Sequence, residues 1–319
     1  MEDRLLAILR LAIRYNASDI HFNLRYNELM IEMRINGQLQ KVKSLFNDAK
    51  LIRYLQYLSG LDVGKLLEPQ TGQFEIQLDD DLLSLRFSVV NTVGSSIGVL
   101  RILNSSLDLD INRLSGIEDQ NTYFKNILKH QCGLVIFSGP TGSGKTTTLY
   151  TILKSVPNKK IYSIEDPIEV FMDNIVQLQI NENGGFDYED GVKQILRHDP
   201  DIIMIGEIRD SKAARWAIIA ANTGHLVFTT IHASRASSVV SRLSELGVSQ
   251  NDLYENLLCL SNQRMVLDAY NNKQVIYELM DEKEIEYFRT FSKNSRDFLS
   301  VNRQIEKGIN EGKLKEVIK

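Results

Sequence analysis

The chain has 319 residues, of which 43% are hydrophobic and 24% charged, and it carries a net charge of −4. That length accommodates two domains with separate cores, and the composition is ordinary for a globular protein. The acidic balance excludes the broadly basic surface that nucleic-acid wrapping needs, and no apolar run approaches the ~20 residues of a membrane-spanning helix.

The opening MEDRLLAILRLAIRY begins with acids and places Arg10 inside its apolar stretch, unlike a secretory leader. Leu5, Leu9, Ala12 and Ile13 recur at helical spacing and predict an amphipathic first helix packed on a core, with a membrane surface as the alternative. Residues 28–35, 72–78 and 82–90 read as strands, with turn signals at Asn36-Gly37 and from Asp79 to Asp81. Residues 51–58 read as a helix ended by Ser59-Gly60. This order predicts a small α+β domain over residues 1–104, followed by a Ser-, Asn- and Asp-rich linker over 105–118.

From Tyr123 onward strands and helices alternate, as in a parallel sheet with crossover helices, so an α/β domain is expected over residues 119–260. Its strands are 134–137, 160–164, 201–205 and 225–230, apolar enough to be buried on both faces. Residues 261–319 read as a helical extension, with charged helices at 282–289 and 301–315. Cys132 and Cys259 lie far apart in apolar surroundings, so both read as buried thiols in a reducing compartment.

The stretch GPTGSGKT, residues 139–146, fits the phosphate-loop pattern G-x-x-x-x-G-K-[ST] at every fixed position. An apolar strand precedes it and a helix start follows, which is the context the motif requires. Its members are Gly139, Pro140, Thr141, Gly142, Ser143, Gly144, Lys145 and Thr146, with Thr147 next in line. Glycines let the loop turn tightly, so that backbone N–H groups converge on phosphate oxygens at a helix N-terminus. Lys145 supplies a charge to the β- and γ-phosphates, and the Thr146 hydroxyl is a ligand for Mg²⁺. Chance produces the pattern in on the order of one chain of this length in a hundred, and the flanking elements make it rarer. ATP with Mg²⁺ is the expected ligand.

Hydrolysis further needs an acid that organises the metal and a group that orients water. Two acidic clusters end expected strands, where open α/β sheets place ligands: Glu165, Asp166 and Glu169 in IEDPIE, and Glu207 in IIMIGE. A solvated strand end is the plain alternative for either one taken alone. His225 and His232 bracket the strand LVFTT, from which two imidazoles could report on a γ-phosphate; with no Cys or carboxylate at ligand spacing they do not suggest zinc. LSGIEDQ, residues 114–120, looks like the signature of ABC transporters, but it precedes the phosphate loop rather than following it and is set aside.

Taken together, GPTGSGKTTTLY, IEDPIE, DPDIIMIGEIRD and TGHLVFTTIHA resemble the phosphate loop, Asp box, Walker B segment and His box of the secretion ATPase superfamily of type II secretion, type IV pilus and competence pseudopilus machines. ASDIHF, RINGQL, RFSVV and VLRIL resemble that superfamily's N-terminal domain of PAS-like fold. The resemblance implies a RecA-like ATPase domain behind a smaller PAS-like domain, a hexameric ring, and hydrolysis coupled to a hinge in the linker. It makes Glu169 the residue that orients or deprotonates water, with Glu165 nearby, and Glu207 an Mg²⁺ holder acting through water. His225 and His232 become the paired His-box residues, while Arg86 and Arg101 become arginines presented to a nucleotide phosphate. Surface salt bridges are the alternative for those two arginines, and structural pairing is the alternative for Arg209.

The chain departs from that pattern in places. No cysteine lies between Asn262 and Glu278, so the zinc insert of Gram-negative assembly ATPases is not expected. The large extra N-terminal domain and the retraction-type C-terminal motif are not found, and Lys212 and Ala213 stand where the superfamily usually has Glu and Thr. This compact build resembles the competence pseudopilus ATPases of Gram-positive bacteria. The implied setting is a homohexamer at the cytoplasmic face of the membrane, acting on a polytopic platform protein and through it on pilin-like subunits, without direct nucleic-acid contact. A pilus retraction motor, a DNA-stimulated ring translocase or helicase, and a nucleotide-binding regulator are the rival readings.

Overall fold

The computed structural model describes residues 1–26, 28–35, 38–42, 50–65, 68–103, 110–181, 185–270 and 272–317. The Asn36-Gly37 turn signal and residues 105–109 of the expected linker lie outside them. The chain divides into two compact units, Met1–Ser106 and Leu107–Lys319.

The first unit runs α1 (Glu2–Arg14), β1 (Ala17–Arg25), β2 (Glu28–Ile35), β3 (Gln38–Val42), α2 (Lys50–Leu58), β4 (Gln70–Leu78), β5 (Asp81–Thr92) and β6 (Ser95–Leu103). Its six strands lie in the order β3-β2-β1-β6-β5-β4, every neighbouring pair antiparallel. Leu85, Phe87 and Val89 alternate inward on β5 and meet Phe22, Leu100 and the apolar stripe of α1. That stripe is Leu5, Ile8, Leu9 and Ala12; Ile13 is 44% exposed and plays no part in it. The first helix is thus a core helix. The turn signal from Asp79 to Asp81 becomes the β4–β5 hairpin, tied to α1 by an Arg10–Asp79 ion pair of 2.8 Å.

In the second unit a short 3-10 turn (Ile111–Arg113) leads into α3 (Glu118–Ile127), β7 (Gly133–Ser138), α4 (Lys145–Lys154), β8 (Ile161–Glu165) and β9 (Ile175–Gln179). There follow α5 (Tyr188–Leu196), β10 (Ile202–Ile208), α6 (Ser211–Asn222), β11 (Leu226–Ile231), α7 (Ser238–Glu245) and α8 (Gln250–Asn256). The unit closes with β12 (Leu257–Asp268), β13 (Lys273–Met280), α9 (Glu282–Phe291), α10 (Val301–Asn310) and β14 (Leu314–Val317). The sheet order is β13-β12-β7-β11-β10-β8-β9, with β14 added beside β12. The six strands from β12 to β9 are parallel, and β13 and β14 run antiparallel to β12. Each residue of β7 and of β11 is buried, as both-face coverage by helices demands.

Three expectations need correction. Residues 261–319 are no helical extension: β12, β13 and β14 complete the sheet, and a boundary at 260 would cut β12 in two. The strand was hidden because Ser261, Asn262 and Gln263 put polar side chains at buried positions, which breaks the apolar run. The linker is shorter than composition implies. Ile111 and Leu114 pack with Phe124 and Phe137, while Ser115 N–H donates to Asn121 Oδ1 at 2.7 Å. Cys132 is exposed in the turn before β7, whereas Cys259 is buried in β12 as expected. Among the described residues no helix is long and apolar enough to cross a membrane.

Candidate nucleotide site

β7 ends at Ser138, and the chain turns through the loop into α4, whose first residue is Lys145. Two glycines are needed for different reasons. Gly144 lies at φ +86°, a left-handed conformation that side chains resist, and a Cβ on Gly139 would sit 2.6 Å from the Gln263 carbonyl oxygen. The Lys145 ammonium donates to the Gly139 and Pro140 carbonyls at 3.0 and 3.2 Å. It is only 9% exposed, and burial holds it below the ordinary lysine range, partly offset by Glu207 and Glu169. Thr141, Gly142, Gly144, Lys145, Thr146 and Thr147 line a cleft of about 490 Å³, and Ser143 lies buried beneath it.

The opposite wall comes from the carboxyl ends of the neighbouring strands, where a parallel sheet gathers its loops. Glu165 ends β8, Asp166 and Glu169 follow it, Glu207 and Arg209 come from the end of β10, and His232 follows β11. Glu207 is held at both oxygens. His232 Nε2 lies 2.8 Å from Oε1, and Arg209 Nε 2.5 Å from Oε2. Arg209 also reaches Asp166 at 3.2 Å, and its Glu207 hydrogen bond raises its pKa above the usual guanidinium value. Thus Arg209 serves as a pairing residue within the site.

Glu165 and Glu169 sit four residues apart in opposite environments. Glu169 is exposed toward the cleft, but Glu165 is 2% exposed and held by three protein donors. Its carboxylate accepts from Ser163 Oγ at 2.6 Å, from Gln177 Nε2 at 3.1 Å, and from the Tyr150 hydroxyl. Burial pushes its pKa up, and the three donors restrain the rise. The two glutamates therefore differ in what they offer: Glu165 is committed to three protein donors, two on Oε1 and one on Oε2, whereas Glu169 presents its carboxylate to the cleft.

His225 needs correction. It lies at the amino end of β11, with Nδ1 3.1 Å from Thr223 Oγ1 and 3.3 Å from the Ala220 carbonyl. Only His232 of the pair lines the cleft. The two arginines belong to the first unit, directly opposite each other on β5 and β6. Arg101 Nε donates to Asp19 Oδ1 at 2.7 Å, and Asp19 Oδ2 lies 3.9 Å from Arg34 Nε. Burial opposes ionisation of Asp19, but the Arg101 and Ser18 hydrogen bonds win and hold its carboxyl below the usual range. Lys212 and Ala213, the unusual pair after Arg209, open α6. Ala213 N–H donates to the capping Asp210 at 2.9 Å, and Lys212 lies 3.6 Å from Asp187.

Sequence reading missed the floor of the site. Gln263 Nε2 donates to the Ser143 carbonyl at 2.6 Å, and Asn262 Nδ2 bridges Ser138 Oγ at 2.9 Å to the Ala233 carbonyl at 3.0 Å. Arg264 reaches the Ser234 carbonyl at 3.0 Å, just past His232. So β12 braces both the phosphate loop and the loop after β11. The signal was the polar run from Ser261 to Arg264 in an otherwise apolar strand.

The profile of the type II/IV secretion system protein family matches residues 1–307. The chain belongs to that family. It is 37% identical over 255 residues to the competence protein ComGA of Bacillus subtilis, covering 78% of this chain and 72% of that one. It is 39% identical over 266 residues to a protein transport protein HofB homolog of Haemophilus influenzae, of whose length the match spans 57%. Among solved structures, the pilus retraction motor PilT with bound ADP superposes with a TM-score of 0.79 at 25% identity, over 98% of this chain and 94% of that one. Family and fold together make the chain an ATP-hydrolysing ATPase of the type II/IV secretion and pilus class, with a RecA-like core.

Proposed function

We propose that this ATPase is a hexameric, Mg²⁺-dependent motor that assembles a competence pseudopilus and so supports DNA uptake. The observation that carries the reading is the convergence of Lys145, Thr146, Glu169, Glu207 and His232 on one cleft, in a chain 37% identical to a competence protein. In this reading the loop amides and Lys145 hold the phosphates. The hydroxyl and carboxylate oxygens of Thr146 and Glu207 suit a hard cation, Glu207 acting through water. Mg²⁺ held there would neutralise charge building on the phosphoryl oxygens. Glu169, exposed and unburdened by contacts like those that hold Glu165, orients or deprotonates water. His232 links Glu207 to the γ-phosphate position. Arg86 and Arg101 are assigned to a nucleotide phosphate by the resemblance alone, and His225 keeps no role inside the cleft of its own chain.

The motor would sit at the cytoplasmic face of the membrane against a polytopic platform protein, and through that protein add pilin-like subunits. The test is Lys145→Ala in the native host, scored for surface pilin-like subunits and DNA uptake. Loss of both supports an assembly motor. Surface pilin that accumulates would favour retraction, the reading that the likeness to PilT keeps in play. Unchanged pilin and uptake would sink both. Light scattering of the purified chain with a non-hydrolysable ATP analogue tests the ring, and a persistent monomer would argue against a hexamer.

A further inference from the structure

We infer that Glu165 is the hub of a buried positioning device, and that Gln177 is the arm through which it holds the loop carrying Glu169. The inference rests on the reading of Glu169 as the residue that acts on water. Three elements meet at the Glu165 side chain. From α4, the helix that begins with the phosphate-binding lysine, the fully buried Tyr150 hydroxyl donates to one carboxylate oxygen. From β8 itself Ser163 donates to the other at 2.6 Å. From β9 Gln177 donates to that same oxygen at 3.1 Å. A fourth element, β10, closes on the same group: a Cβ on Gly206, the residue before Glu207, would lie 3.3 Å from Glu165 Cγ.

Gln177 then spends its remaining polar capacity on the loop between β8 and β9. Its Nε2 donates to the Val170 carbonyl at 2.9 Å, and its Oε1 accepts from the Met172 N–H at 2.8 Å. Val170 follows Glu169 directly. The donor and acceptor pattern permits one amide orientation, because the carboxylate and the Val170 carbonyl both demand N–H and Met172 demands oxygen. Gln179 adds a weaker hold, accepting from the Ile168 N–H at 3.3 Å. The exposed glutamate is therefore flanked by backbone groups tied to β9, and the tie is oriented by a carboxylate that also touches the phosphate-loop helix. Neither Tyr150 nor Gln177 lines the cleft. They are positioning residues, and displacing a reacting group by about 1 Å can cost up to ~10²-fold in rate.

The test is Gln177→Met in the full chain, with Glu169→Gln beside it. Gln177→Met keeps length and volume but removes the amide's contacts to Glu165, Val170 and Met172, and its longer one of 3.5 Å to the Tyr150 hydroxyl. The expected result is kcat per bound nucleotide lowered roughly tenfold, with KM and the affinity for a fluorescent ATP analogue unchanged within about twofold. Hydrogen exchange should rise in the peptide spanning residues 166–174 and not in the phosphate loop, which separates local release from general loosening. Unchanged kcat in Gln177→Met while Glu169→Gln loses turnover would overturn the arm and leave the assigned base standing. Full activity in Glu169→Gln would overturn the base and the arm's purpose with it. Parallel loss of affinity and kcat, with exchange raised in both segments, would reduce Gln177 to an ordinary packing residue and also overturn the inference.

Discussion

At the carboxyl end of β11 His232 meets Glu207 at 2.8 Å inside the nucleotide cleft, while at the amino end of the same strand His225 bonds to Thr223 and to the end of α6. The two imidazoles are seven positions apart, and at ~3.3 Å per residue an extended strand separates them by about 23 Å. In the linear text they look like a matched pair. In the sheet they are at opposite edges, because every parallel strand delivers its carboxyl end to the same side. The lesson is that strand polarity sorts residues by edge before chemistry sorts them by type. Glu165 and Glu169 repeat the lesson at shorter range: one ends β8 and the other follows it on the same side of the sheet, yet Glu165 is buried among protein donors while Glu169 is exposed.

Substitutions at the two edges should sharpen the contrast, beginning with the largest effect. Lys145→Ala removes the ammonium that closes the phosphate loop, and ATP turnover should fall by about 10³-fold or more, with analogue binding lost in a fluorescence titration. Near-normal binding would break the assignment of this edge. His232→Ala leaves one Glu207 oxygen without its partner and should lower kcat by roughly tenfold to a hundredfold in a steady-state assay. Glu165→Gln tests the buried member of the edge by stability. Its folded pKa lies above the ordinary value of 4.5, so in the parent chain stability is highest below that value and falls as pH rises through the folded pKa. The neutral variant escapes that loss, so its melting temperature should gain on the parent, by a few degrees, as pH rises from 4.5. A gap that stays constant across the scan would show that Glu165 is not strained by its charge. His225→Ala is the smallest: turnover should change by less than about threefold, with stability down by ~1 kcal/mol for the lost hydrogen bonds. A drop as deep as that of His232→Ala would erase the distinction between the edges.

Much of the fold was legible because its signals are local. The phosphate loop declares itself through residue types at fixed offsets, while the expected strand at 134–137 falls within β7 and that at 201–205 overlaps β10 from Ile202. The first helix was readable from Leu5, Leu9 and Ala12, though Ile13 points to solvent. What escaped depends on partners far along the chain. β12 reads poorly because the side-chain amides of its buried Asn262 and Gln263 donate to Ser138 and Ser143, more than a hundred residues earlier. Packing of Ile111 and Leu114 under α3 is likewise invisible in a stretch whose composition suggests a loop. Within the site, Lys145, Glu169 and Glu207 were recognisable from motif and strand end. The burial of Glu165 was not, since it is imposed by Tyr150 and Gln177 on other elements.

The brace that β12 provides also dictates an order of events during synthesis. Gln263 follows Ser143 by 120 residues, so the phosphate loop leaves the ribosome well before the strand on which it rests. At ~5–20 residues per second that interval is roughly 6–24 s. Through that window β7 has an open edge where β12 will later pair, and the loop lacks its floor. The phosphate loop thus takes up its braced form only after β12 has emerged and paired with β7.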